Sequence, residues 1–272
     1  MLPNFIFIGP GRAGTTWLYK NLKANSSIEL ARNIKEVNFF NWNYHKGLLW
    51  YSSFWTKDSA VRGEISNLYI YDLEVAHRII TDLKDIKIIT VLRHPLDRCI
   101  SSYLFKRRSG EIDGNISFTT AMSEGLYKES LYSKLLEPYF RNEIKMYIGW
   151  YEDLSNRPDH LMKEISDFIG VNYKPESISR KKINSTVIPR NIFVTYWVKR
   201  IAAYFRENEW FMVLDRLKTN KLLRRLLFKE AEKKELVLLT QTEREDLISR
   251  YFLKDIKELE DRLNISLDQW KI

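Results

Sequence analysis

A single cysteine, Cys99, stands in a chain of 272 residues. A disulfide framework and a cysteine-rich zinc site are therefore excluded, and a lone thiol fits a reducing compartment. No uncharged apolar run comes near the ~18 residues that a membrane-spanning helix requires. The N-terminus lacks a basic segment followed by a cleavable apolar one, so no signal peptide is expected and the chain reads as soluble and cytoplasmic. Internal repeats, low-complexity tracts and a clear linker are also missing, which makes one domain the economical reading. Acidic residues are the short side of the charge balance, 35 Asp and Glu against 44 Lys and Arg, for a formal +9. Such an excess favours anionic partners: nucleotides, nucleic acid, acidic glycans or lipid headgroups.

What is present is a globular composition, 44% hydrophobic and 29% charged, in a chain long enough to bury a core without a staple. The apolar run 4–8 is stopped by Gly9-Pro10-Gly11, and Trp17, Leu18 and Leu22 then recur at helical spacing up to Asn25. Ile86 to Leu92 is a second apolar run, broken by Arg93-His94-Pro95 and followed by a helical pattern from Leu96 to about Arg107. Lys145 to Trp150 is a third, followed by a helix from Asp159 to Ile169 that closes at Gly170. Recurring strand-then-helix units predict an α/β fold with a parallel sheet covered by helices. From Ile192 onward the spacing predicts helices over 195–235 and 243–263 with no strand among them, and 180–191 reads as a long basic loop.

The first turn, Gly9-Pro10-Gly11-Arg12-Ala13-Gly14-Thr15-Thr16, carries more chemistry than a strand-to-helix turn requires. Small residues let backbone amides close around an anion, and a helix starting near Thr15 adds its free N–H groups and positive dipole end. Arg12 supplies a fixed charge, and Thr15 and Thr16 supply hydroxyls. The spacing of Gly9 and Gly14 matches a Walker A loop, but the next residue is Thr15 rather than Lys, and the strand ending at Leu92 is followed by Arg93 rather than an Asp for Mg²⁺. A phosphate or sulfate cradle working without a metal is the expectation. A nucleotide kinase or NTPase, and a non-catalytic basic nucleotide-binding module, stay open as alternatives.

The loop Phe7 to Leu18 resembles the 5′-phosphosulfate loop of sulfotransferases that use 3′-phosphoadenosine 5′-phosphosulfate (PAPS). Leu92-Arg93-His94-Pro95-Leu96-Asp97-Arg98-Cys99-Ile100-Ser101 resembles their 3′-phosphate motif, in which an Arg at a strand end and a Ser eight residues on grip that phosphate. Lys35-Glu36-Val37-Asn38-Phe39-Phe40, with Tyr44-His45-Lys46-Gly47 and Trp50-Tyr51 after it, is similar to the heparan-type carbohydrate branch. Trp150-Tyr151-Glu152-Asp153-Leu154 and Phe168-Ile169-Gly170-Val171 are similar to bacterial members.

That resemblance implies a P-loop-like α/β sheet over 1–173 and, over 174–272, a basic loop and a helical C-terminal layer. It implies PAPS as co-substrate, adenosine 3′,5′-bisphosphate (PAP) as product and no metal. Donor-binding residues would be Gly11, Arg12, Ala13, Gly14, Thr15, Thr16, Trp17, Arg93 and Ser101, with Lys182 and Arg190 from the basic loop. Glu36 would be the general base, and Arg12 would neutralise the leaving phosphate without giving up a proton. Lys35, His45, Trp50 and Tyr51 would meet a glycan or glycolipid acceptor, the aromatic rings as stacking faces, with His45 as a rival base. Two departures stand out: Arg12 where many relatives carry Lys, and Ile65 where carbohydrate relatives often carry Lys after the Glu. No nucleic-acid motif is present, and the basic amphipathic stretch 196–234 allows a weak contact with an anionic membrane surface.

Overall fold

The computed structural model describes residues 1–56, 61–175 and 237–272, together with individual positions between 187 and 230. Five parallel strands form the main sheet: β1 (Phe5–Phe7), β2 (Ile28–Leu30), β3 (Val61–Ile65), β4 (Lys87–Leu92) and β5 (Met146–Trp150), in the order β2-β3-β1-β4-β5. Phe5 of β1 lies level with Gly63 on one side and Lys87 on the other, which fixes the register of the three central strands.

Alternation along β1 and β4 builds a core on each face of the sheet. Phe5, Phe7, Ile89 and Val91 point to one face, where they meet Trp17, Leu18 and Leu22 of α1 (Thr15–Ala24) and Leu161, Met162 and Ile165 of α8 (Pro158–Ile169). Ile6, Ile8, Ile88 and Leu92 point to the other. There they meet α3 (Leu73–Asp82), α4 (Pro95–Ser109) and α6 (Tyr132–Arg141). The helix after β1 and the helix after β4 thus lie on opposite faces of two adjacent strands, and a crevice opens between them at the strands' carboxyl ends. The remaining short helices are α2 (Gly47–Ser52), α5 (Phe118–Ser123) and α7 (Asp153–Asn156).

The α/β sheet is as the strand-helix alternation predicts, but two of its strands carry too little pattern to be read. β2 has three residues, and β3 (Val-Arg-Gly-Glu-Ile) puts three polar or small residues in its middle. The strandless C-terminal part is corrected: β6 (Val187–Pro189), inside the stretch read as a loop, pairs antiparallel with β7 (Phe228–Glu230). Three-residue strands brought together from 40 positions apart leave no alternation to detect. The expected helix over 243–263 is two helices, α9 (Gln241–Tyr251) and α10 (Leu253–Leu263), because the chain bends at Phe252 to bury its ring. Of 195–235, only individual positions fall among the described residues.

α10 is tied to the sheet layer by a carboxylate. Asp255 accepts hydrogen bonds from the Ser133 and Lys134 amides, both at 3.1 Å, and so caps the first turn of α6 from a distant part of the sequence. Burial pushes its carboxyl up to about 6.

Candidate active site

The crevice between β1 and β4 is a cleft of about 820 Å³. Its first wall is the loop after β1. Gly9 and Gly14 hold positive φ of 117° and 81°, and Arg12 is also left-handed at 71°. Side chains at the two glycines are excluded by space as well: a Cβ at Gly9 would sit 2.4 Å from the Asn67 carbonyl, and one at Gly14 2.1 Å from Leu154. Thr90 Oγ1 donates to the Gly9 carbonyl at 2.6 Å and pins the loop to β4. Gly14 is the N-cap of α1 and brings no side chain to its first turn, so the opening amides of the helix remain available to an anion. Gly11, Arg12, Gly14, Thr15, Thr16 and Trp17 all line the cleft. Ala13 is buried behind the loop, 1% exposed.

Arg93 and Ser101 come from the end of β4 and from α4. Pro95 opens that helix, and the His94 ring accepts from the Asp97 amide at its N-terminus. Arg12 Nε donates to Ser101 Oγ at 3.1 Å, and Arg93 Nη1 donates to the Arg12 carbonyl at 3.3 Å, so Arg12 meets two residues from a distant part of the sequence in one basic corner. Arg93 also lies 4.5 Å over the Tyr151 ring, and Arg12 lies 5.1 Å from the Phe105 ring. Burial, and then repulsion from Arg93 and Arg108, lower the pKa of Arg12. An anion in that corner relieves the repulsion.

Lys35 and Glu36 line the cleft as well. Glu36 Oε1 accepts from Lys35 Nζ at 3.0 Å and from Asn67 Nδ2 at 2.6 Å. Six cationic side chains line the cleft against four acidic ones, and part of that charge is already engaged. Arg98, 1% exposed, donates to Ser130 Oγ at 2.8 Å and pairs with Glu129 at 2.7 Å, and Lys106 pairs with Glu129 too. Burial works against the Glu129 charge, yet Arg98 and Lys106 hold its carboxyl below the usual range.

One member of the expected acceptor platform, Tyr51, is corrected. Tyr51 is fully buried, stacked on Phe39 at 4.3 Å, and its hydroxyl donates to the buried Glu64 carboxylate. An aromatic ring in that core offers a ligand no face. Trp50 packs edge-on against Phe54 with Lys46 over its ring, and His45 is exposed; neither lines the cleft. Lys182 and Arg190, like the rest of the basic loop from Arg180 to Lys182 and Asn184, lie outside the described residues. Residues the sequence reading did not assign to the site also line it: Asn67, Tyr71, Arg98, Leu104, Phe105, Lys106, Arg108 and Tyr151 among them. Tyr151 sits inside a motif already singled out, and that adjacency was its one signal in the sequence.

A family model described as a sulfotransferase domain matches residues 2–187. Human bifunctional heparan sulfate N-deacetylase/N-sulfotransferase 2 is 30% identical over 195 residues, covering 62% of this chain and 22% of that protein. Mouse heparan sulfate glucosamine 3-O-sulfotransferase 3A1 is 32% identical over 184 residues, covering 62% of this chain and 46% of that protein. The chain thus spans less than half the length of these relatives. Among solved structures, a sulfotransferase from Alicyclobacillus acidocaldarius superposes over 100% of both chains with a TM-score of 0.67 at 17% identity. Retinol dehydratase in complex with retinol and PAP covers 98% of this chain and 83% of its own, with a TM-score of 0.50 at 16% identity. At such identities the likeness is one of fold.

Proposed function

Because the chain belongs to the sulfotransferase family, we propose that it moves a sulfuryl group from PAPS to a hydroxyl of a carbohydrate or glycoconjugate, with Glu36 as the base. One observation carries the reading: a single cleft holds an anion loop with an uncapped helix start, a basic corner of Arg12, Arg93 and Ser101, and a carboxylate at Glu36. The donor set suits a nucleotide with phosphates at two ends. Arg93 and Ser101 offer charge-assisted hydrogen bonds to a 3′-phosphate, and the loop amides with Thr15 and Thr16 offer neutral donors to the phosphosulfate.

In the reaction, the acceptor O–H bond breaks as its proton passes to Glu36, and the oxygen forms a bond to sulfur. The sulfur–oxygen bond to the 5′-phosphate breaks, and negative charge collects on that phosphate. Donors fixed in advance around Gly14 and the start of α1 stabilise this charge without reorganising. Arg12 contributes as a permanent cation that lies toward Ser101.

A carbohydrate acceptor draws support from the relatives whose names specify heparan sulfate. Exposed Trp197, Ile201, Tyr204 and Trp210 in the basic C-terminal segment extend the reading to an acceptor presented at an anionic lipid surface. The test is transfer of radiolabelled sulfate from PAPS to a de-O-sulfated heparan oligosaccharide, to n-dodecyl glucoside and to p-nitrophenol. Label on either sugar supports the reading; label on the phenol alone contradicts the carbohydrate acceptor.

A further inference from the structure

The carboxylate read as the base is held by a neighbour. Asn67 Nδ2 and Lys35 Nζ both donate to Glu36 Oε1, at 2.6 and 3.0 Å, and among the described residues Oε2 accepts no hydrogen bond. Oε2 is the oxygen left to take a proton. The Asn67 amide is fixed in this orientation, since turning it over would set its Oδ1 against a carboxylate oxygen, acceptor against acceptor. As it stands, Oδ1 is buried with no partner among the described residues, an arrangement that costs stability and that an apolar residue would avoid. The side chain's hydrogen bonding is spent on Glu36.

The backbone around Asn67 is rigidly joined to the stretch that carries Glu36. Ser66 Oγ accepts from the Asn38 amide and Tyr69 OH from the Phe40 amide, both at 3.3 Å. Ser66 and Tyr69 in turn donate to the fully buried Glu64 carboxylate at 2.5 and 2.8 Å. On its other side Asn67 backs the anion loop: its carbonyl occupies the space a Cβ at Gly9 would need, and its own Cβ lies 3.8 Å from where one at Gly11 would be. One residue therefore spans from the donor loop to the carboxylate.

We propose that Asn67 is a positioning residue for the transfer: its amide fixes Glu36 through Oε1 and leaves Oε2 to accept the hydroxyl proton. The proposal rests on the reading of Glu36 as the base. A neutral donor on a carboxylate stabilises the charged form, and a second carboxylate in its place would oppose it.

The test compares Asn67→Ala and Asn67→Asp with the unmodified chain, using PAPS and the de-O-sulfated heparan oligosaccharide across the pH range, with PAP affinity measured alongside. The base works when deprotonated, so the acid limb of the rate profile should move to higher pH in both variants, further in Asn67→Asp. At about pH 6.5 Asn67→Asp should lose roughly tenfold or more in kcat and recover most of it by about pH 9, with PAP affinity kept. Retained PAP binding establishes that a variant is folded, and Asn67→Ala reports if the charged variant is not. A profile of unchanged shape in the folded variants, whether the rate is intact or uniformly lower, overturns the proposal. Glu36→Gln run in parallel separates the two layers. If it is inactive while both Asn67 variants keep the original profile, the positioning role alone falls; if it turns over fully, the base assignment falls and the positioning role with it.

Discussion

Replacing Glu36 by Gln keeps the shape of the side chain and removes its ability to take a proton. The expected outcome is a fall in kcat of ~10²–10⁴-fold with PAP affinity changed by no more than about twofold. Arg93→Ala should do the reverse at the donor end. Losing charge-assisted hydrogen bonds costs about 1.5–3 kcal/mol, or roughly 10- to 150-fold in PAP affinity, while AMP, which has no 3′-phosphate, binds as before. Isothermal titration with the two nucleotides checks both halves of that expectation. Arg12 and Arg93 could be singled out from sequence because they sit in a glycine-rich turn and at a strand end, and Ser101 and Glu36 because the motifs around them resemble those of the sulfotransferases. Asn67 and Glu129 could not, since what makes them part of the site is a contact with a residue about 30 positions away. Tyr51 misled for the same reason: an aromatic beside the proposed base looks like a sugar platform until the fold shows its ring against Phe39 and its hydroxyl on Glu64.

α4 has two different sides, and they respond differently to mutation. Its Ser101 side serves the cleft, while Arg98 is sealed in the protein on Ser130, Tyr71 and Glu129. Arg98→Ala leaves Glu129 to Lys106 and Ser102, takes the buried donor from Ser130, and should cost about 1–3 kcal/mol in urea denaturation. Charged residues on this helix look solvated in sequence, and burial of one of them emerges from the packing of α4 against 126–130. The link between α10 and α6 gives a pH signature. Asp255 is raised to about 6 when folded, so its favourable contribution is complete below the ordinary carboxylate range and is lost as pH rises through about 6. The stability advantage of the unmodified chain over Asp255→Asn should therefore shrink between about pH 4 and 7, measured by urea denaturation at each pH. The sequence pattern carried the three strands with continuous apolar runs and the helices that follow them. β2, β3 and the β6–β7 pair were silent because three to five residues with polar members have no period to show.

At the scale of the molecule the chain carries +9. Trp197, Ile201, Tyr204 and Trp210 are about half exposed among described residues of a segment rich in Lys and Arg. An acceptor presented on an anionic bilayer would draw on both features. Vesicles containing phosphatidylglycerol should carry the protein upward in a flotation gradient at low salt, with less bound as salt rises, whereas phosphatidylcholine vesicles should not. Equal flotation with both lipids, or none with either, contradicts the membrane-presented acceptor and leaves the transfer chemistry untouched.

The donor site is the centre of the account, and thermal unfolding with PAP, AMP and ATP with Mg²⁺ tests it most directly. At about 100 times its dissociation constant, PAP should stabilise the protein by ~2.7 kcal/mol. For a chain of this size that is a rise of several degrees, at about 2–4 °C per kcal/mol. A 3′-phosphate site at Arg93 predicts this rise with PAP, a smaller one with AMP, and in Arg93→Ala a PAP rise cut to about half or less. A rise with ATP and Mg²⁺ and none with PAP would contradict it and return the chain to the nucleotide kinases and NTPases.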